Sequence, residues 1–214
     1  RRAPPPAPEA ARAGAQHTFE GGRGLSLAVN VGVKAARGRS EFVSWLGDDD
    51  LLAPGSISAA VSALDADSAA VACFGNVRVI DTHGRTSRYL RPVPAHLAYG
   101  LVGRNFIPQP GSLYRRSVWE RVGGLDESLW HAMDLDLFQK MATLGRVRYV
   151  RKEHAAYRWH ESSISASKRD YSENALIRER YASSSLKRLA RIRTLTQASD
   201  RVLSRLSHRR RFVP

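Results

Sequence analysis

Phe42-Val43-Ser44-Trp45-Leu46-Gly47-Asp48-Asp49-Asp50 is an apolar, β-rich run that breaks at a glycine into three consecutive carboxylates. A buried strand that stops abruptly in charge predicts a functional loop at the strand's C-terminal end. Three adjacent carboxylates repel one another, and a cation or strong hydrogen-bond donors must offset that repulsion. A hard divalent ion, Mg2+ or Mn2+, takes oxygen ligands and typically bridges one or two carboxylates to substrate phosphates. Taken alone, the acids are equally accounted for as a solvated loop, or as a cap for the helix that Pro54 introduces.

The flanks carry alternating helices and strands. Upstream, Leu27, Val31 and Ala35 recur at helical spacing within Leu25 to Ala36, and Gly38 ends the run. Downstream, Pro54-Gly55-Ser56 predicts a helix over Ile57 to Leu64, with Ser56 as its N-cap. Ala69 to Ile80 is rich in Val, Phe and Cys, and Asp81-Thr82-His83-Gly84 predicts a hairpin turn. Arg91 to Pro110 reads as a long loop over the substrate side. Short and longer helices are expected at Ser117 to Val122 and Asp134 to Leu144, closed by Gly123-Gly124 and Gly145, with a strand at Val147 to Val150. That alternation predicts an α/β fold with a mixed sheet flanked by helices.

Charge is unevenly distributed. The 214 residues carry 34 Lys+Arg against 20 Asp+Glu, a formal net charge of +14, which raises phosphate-rich ligands, anionic lipid and nucleic acid as partners. Between Lys168 and Pro214 there are thirteen Lys/Arg against four Asp/Glu, so most of the excess lies at the C-terminal end. Cys73 is the sole cysteine, which excludes an intrachain disulfide and favours a cytoplasmic setting. No apolar run approaches the roughly 20 residues of a membrane span, leaving peripheral attachment to the inner face of the cell membrane as the expected membrane contact.

The ordered set Gly24-Leu25-Ser26-Leu27-Ala28-Val29-Asn30-Val31-Gly32, Ala35-Ala36-Arg37-Gly38, Phe42 to Asp50 and Pro54-Gly55 resembles family 2 glycosyltransferases of the GT-A fold. Pro108-Gln109-Pro110-Gly111-Ser112-Leu113-Tyr114-Arg115-Arg116, Val122-Gly123-Gly124-Leu125-Asp126-Glu127, Met133-Asp134-Leu135-Asp136-Leu137 and Tyr157-Arg158-Trp159-His160 with Ser163 and Ser165 extend the resemblance to about Ser167. It implies a GT-A-like (Rossmann-like) sheet and an inverting transfer of sugar from a nucleotide-diphosphate donor to a hydroxyl of a glycan or lipid-linked acceptor. Aligned on Leu46 and Pro54, Asp49 and Asp50 take the last two positions of the family's acidic motif and Gly47 replaces its first acid.

The resemblance implies metal ligation by Asp49, Asp50 and His160, and donor or diphosphate binding by Asn30, Asp48, Asp49 and Arg158. Asp134 matches the catalytic base, with Trp130, His131 and Asp136 on the acceptor side. A helix N-cap for Asp134, donation to the diphosphate or a structural role for His160, orientation of neighbouring groups by Asp136, and plain packing for Trp130 and His131 are the alternatives. Arg115 and Arg116 read either as phosphate partners or as solvated surface cations. The base-binding strands expected of the family are not evident before Gly21. The organisation expected is therefore a Pro/Ala-rich flexible leader over 1–20, an N-terminally truncated GT-A-like domain over 21–167 and a basic helical tail over 168–214.

Within that tail, Leu186, Leu189, Ile192, Leu195, Val202 and Leu206 recur near helical spacing among arginines and lysines, which reads as a basic amphipathic helix suited to anionic lipid or packed on its own domain. Nucleic acid is the weaker partner, because no aromatic interleaving or recognised binding motif accompanies the charge. Two other functions stand beside the enzyme: a catalytically incomplete glycosyltransferase remnant, or a basic adaptor acting through its tail.

Overall fold

A central strand with almost no exposed residue organises the sheet. In the computed structural model, which describes residues 24–36, 40–92, 107–161, 163 and 172–181, Ala70–Ile80 (β3) is buried along nearly its whole length. It pairs in parallel with Arg146–Arg158 (β6) and antiparallel with Thr86–Leu90 (β4) and Leu113–Arg115 (β5). Phe42–Val43 (β1) and Leu51–Leu52 (β2) complete the path β1-β5-β3-β6-β2, with β4 branching from β3. A strand covered on both faces reads as a continuous apolar run, which is why Ala69 to Ile80 is legible in sequence.

Helices cover both faces. Ser56–Asp65 (α2) buries Ala60 and Leu64 against Ala70, Cys73 and Leu113. On the opposite face Leu25–Ala35 (α1), Arg116–Arg121 (α3), Met133–Ala142 (α4) and Ser172–Tyr181 (α5) pack around Phe74, Tyr114, Trp119, Phe138, Met141 and Ile177. The result is the α/β fold with a mixed sheet that the sequence predicts. α5 belongs to the stretch read as tail, yet Ile177 is fully buried in the main core. Residues 186–206 and 93–106, read as the basic helix and as most of the long loop, lie outside the described residues. Among the described residues no helix is long and apolar enough to cross a membrane.

Three local readings change. Gly55, at φ 68°, occupies the N-cap of α2, and Ser56 sits buried in its first turn without a hydrogen-bond partner for its hydroxyl. β6 runs thirteen residues rather than four. Its outward Arg148, Arg151 and Lys152 disguise it, and pairing with β3 and β2 overrides the local pattern. β1 is shorter than expected. Beyond Val43 the chain is held by side chains instead of a ladder, with the Ser44 hydroxyl donating to the Ser112 carbonyl at 2.6 Å and the Gln109 amide to the Trp45 carbonyl at 2.8 Å.

Candidate active site

The acidic triplet lies in a seven-residue connection between β1 and β2, where the Asp50 N–H closes a turn onto the Gly47 carbonyl. β2 pairs with the end of β6, Leu51 opposite Ala156 and Leu52 opposite Ala155. That pairing brings Arg158 and His160 onto the acids from more than a hundred residues away. The Arg158 N–H donates to Asp50 Oδ1 at 2.8 Å, and its guanidinium donates to the carbonyls of Asp49 (3.0 Å) and Asp81 (2.9 Å). His160 Nε2 meets Asp49 Oδ2 at 2.9 Å. An ionised carboxylate only accepts, so Nε2 carries the proton in this arrangement.

Of the acids, Asp48 is exposed while Asp49 and Asp50 are half-buried. Burial, with the charges of Asp49 and Asp48 adding to it, raises the Asp50 carboxyl above its ordinary range despite the Arg158 N–H. The charge of the Arg158 guanidinium acts in the opposite direction. Among the described residues no group of three His, Cys, Asp or Glu side chains converges to hold an ion alone. Asp49 and Asp50 could supply carboxylate oxygens to a divalent ion that draws its remaining ligands from phosphate oxygens and water, as Mg2+ does, while an imidazole ligand such as His160 would suit Mn2+ better. Binding through His160 Nε2 would release a proton.

Asp134 opens α4 on its half-exposed side and accepts the Leu135 N–H at 2.8 Å. It lies close enough to act on the buried Tyr114 hydroxyl, which burial first and the Asp134 charge second raise well above its ordinary value. Tyr114 stacks on Trp45 with ring centroids 5.3 Å apart, and Trp119 closes the group edge-on. Trp45 precedes the triplet by three residues, so this aromatic stack links the proposed base to the acid loop. Trp130 stands 54% exposed beside Gly24, free to present its ring to a ligand, and His131 is half-buried next to it.

Two residues expected at the site are engaged elsewhere. Asp136 does not face an acceptor: it is fully buried, paired with Arg180 at 2.6 Å and Lys140 at 2.8 Å, and accepts the Tyr181 hydroxyl at 2.8 Å. One residue in a helix turns about 100°, so Asp134 and Asp136 point to different sides of α4. Asn30 spends its amide on the loop after α3, donating to the Leu125 carbonyl and Glu127 and accepting the Leu125 N–H. Gly124, at φ 70°, makes room for it, since a Cβ there would lie 2.6 Å from Asn30 Oδ1.

Arg115 and Arg116 are neither phosphate ligands nor solvated here. Arg115 binds the carbonyls of Ala70 and Leu64, and Arg116 those of Ser40, Val33 and Ala36. His154 has no signal in the sequence that marks its role. Buried on β6, it donates through Nδ1 to the Gly111 carbonyl at 3.0 Å and fastens the strand to the turn that carries Gln109. Burial lowers its imidazole below the ordinary histidine value.

The described residues form a mixed α/β domain with three carboxylates in the β1–β2 connection and a further carboxylate at the start of α4. The model of glycosyl transferase family 2 matches residues 17–123, half of the chain, and the chain belongs to that family. Two curated relatives, both uncharacterized glycosyltransferases, come from Rickettsia felis (29% identical over 140 residues, 62% of this chain and 23% of the relative) and Rickettsia conorii (29% over 133 residues, 59% and 22%). The crystal structure of S. aureus TarS in complex with UDP-GlcNAc superposes with a TM-score of 0.51 at 16% identity, over 72% of this chain and 46% of that one. That likeness concerns the fold. The chain spans less than a quarter of the curated relatives' length.

Proposed function

We propose that this chain carries the diphosphate and acceptor side of a metal-dependent, inverting glycosyltransferase that moves a sugar from a nucleotide-diphosphate donor to a hydroxyl acceptor. The observation that supports it most is the meeting of Asp49 and Asp50 with Arg158 and His160 across the sheet. Family membership and a structural neighbour solved with UDP-GlcNAc support the donor class. Asp49 and His160, with Asp50, would hold Mg2+ or Mn2+, which supplies positive charge to the leaving diphosphate. Arg158 holds the loop in shape by clamping the carbonyls of Asp49 and Asp81, and Asp48 remains open to solvent and to the donor.

In the transfer, the acceptor oxygen forms its bond to the anomeric carbon as the bond from that carbon to the diphosphate oxygen breaks. Asp134 takes the acceptor's proton, and the nucleotide diphosphate leaves with the bonding electron pair. Trp130 and His131 offer a surface for the acceptor. An envelope glycan or lipid-linked acceptor, met in the cytoplasm at the inner membrane face through the basic C-terminal segment, suits the charge distribution.

Release of UDP from UDP-GlcNAc in the presence of Mn2+, with water as acceptor, tests the reading. Asp134→Asn is expected to lower kcat about 10²- to 10⁴-fold and to leave KM for UDP-GlcNAc little changed. Equal rates in the variant and the parent would remove Asp134 from the base role.

A further inference from the structure

α5 lies beyond the residues matched by the family model, yet it touches the turn that leads into the proposed base. Glu173 Oε1 accepts the Trp130 N–H at 2.8 Å, and Oε2 accepts the N–H groups of His131 (2.7 Å) and Ala132 (2.8 Å). α4 needs such help, because its N-cap is Ala132, whose side chain makes no capping hydrogen bond. The donors ahead of a helix lack intrahelical partners, and a carboxylate there is favoured by both hydrogen bonding and the helix dipole.

The far end of the same helix is anchored independently. Ile177 is buried in the core, while Arg180 joins Asp126 at 2.9 Å and Asp136 at 2.6 Å. Glu173, Ile177, Arg180 and Tyr181 fall at i, i+4, i+7 and i+8, one face of a helix. α5 therefore spans the loop from Asp126 to Ala132 and fixes it at both ends. Asp134 follows Ala132 by two residues, and Trp130 and His131 lie within the clamped segment.

We infer that Glu173 is a positioning residue for the transfer: its carboxylate sets the 130–132 turn, and so the placement of Asp134 and the acceptor surface. This rests on the glycosyltransferase reading above. A proton acceptor displaced by about 1 Å costs up to about 10²-fold in rate, whereas donor contacts made by the β1–β2 loop would be untouched.

Two readouts on the full chain test it: amide hydrogen exchange over residues 130–132, and UDP release from UDP-GlcNAc with Mn2+. In Glu173→Ala, exchange is expected to accelerate at least about tenfold and kcat to fall about tenfold, with KM for UDP-GlcNAc within twofold. Glu173→Asp should recover most of kcat. If alanine loosens the fold, Glu173→Gln, which keeps side-chain size but removes the charge and one acceptor, carries the same readouts. Unchanged exchange overturns the inference, and so does faster exchange with unchanged kcat or with a parallel rise in KM. Absence of UDP release by the parent protein counts against the glycosyltransferase reading instead, and the exchange result then decides on its own whether Glu173 fixes the turn.

Discussion

The molecule holds two clusters of acids with opposite electrostatic settings. Around Asp126 and Asp136, Arg180, Lys140, Ser128 and the Tyr181 hydroxyl supply partners, and the Asp126 carboxyl is held down at about 2, chiefly by the Ser128 hydroxyl and with help from Arg180. Around Asp48, Asp49 and Asp50 the partners are the N–H and nearby guanidinium of Arg158, an imidazole and each other, and burial pushes the Asp50 carboxyl up. A cluster neutralised from within serves the fold. The cluster with fewer cationic partners is the one where the proposed metal site lies.

The comparison breaks first at Asp136, where the largest effect is expected. Asp136→Ala removes the acid partner of Lys140 and one of the two acid partners of Arg180, and leaves a buried vacancy. Breaking a buried ion pair costs about 3–5 kcal/mol, and the low end, about 3 kcal/mol, is expected because both cations are partly exposed and can rehydrate. Urea unfolding measures it. A loss under about 1 kcal/mol would place this cluster with the triplet rather than against it.

Asp126 sharpens the same contrast through pH. Its folded carboxyl lies below the unfolded value of about 3.9, so its stabilisation is fully present above that value and is lost as pH falls toward about 2. Asp126→Asn should therefore be less stable than the parent by about 1–2 kcal/mol at pH 7, with Asn retaining part of the Ser128 bonding. The difference should shrink as unfolding is measured from pH 4 down to pH 2. A difference that stayed constant across that window would assign the loss to geometry rather than charge.

These clusters were not equally legible in sequence. The triplet shows itself because an apolar run stops at it, and Asp134 because of its frame behind Gly123-Gly124-Leu125-Asp126. Asp136 has the same local look as Asp134, and only the rotation of α4 and the arrival of Arg180 from α5 separate an inward acid from an outward one. The sequence pattern marks only four residues of β6, because its outward side chains are basic and only pairing with β3 holds its full length. Arg158 reads in sequence as a phosphate ligand, while its guanidinium spends two donors on carbonyls whose positions follow from the β2–β6 and β3–β4 pairings. Periodicity reports burial along one element. It does not report which distant element arrives to satisfy a charge.

The smallest effect on stability, and the sharpest on ligand response, belongs to Asp49. Its contact with His160 is between side chains that are 37% and 30% exposed, and a polar contact that open to solvent contributes at most about 1 kcal/mol. Asp49→Asn without divalent cations should accordingly unfold within about 1 kcal/mol of the parent, against the loss of about 3 kcal/mol expected at Asp136. Adding Mn2+ separates the two further. A cation that binds only the folded protein stabilises it by RT ln(1 + [L]/Kd), about 2.7 kcal/mol at one hundred times Kd. The parent's melting temperature should rise with Mn2+, and that of Asp49→Asn should rise much less. If both rise equally, Asp49 is not a ligand. If neither rises until UDP-GlcNAc is also present, the triplet requires the donor's phosphates to complete the coordination, as a site with so few protein ligands implies.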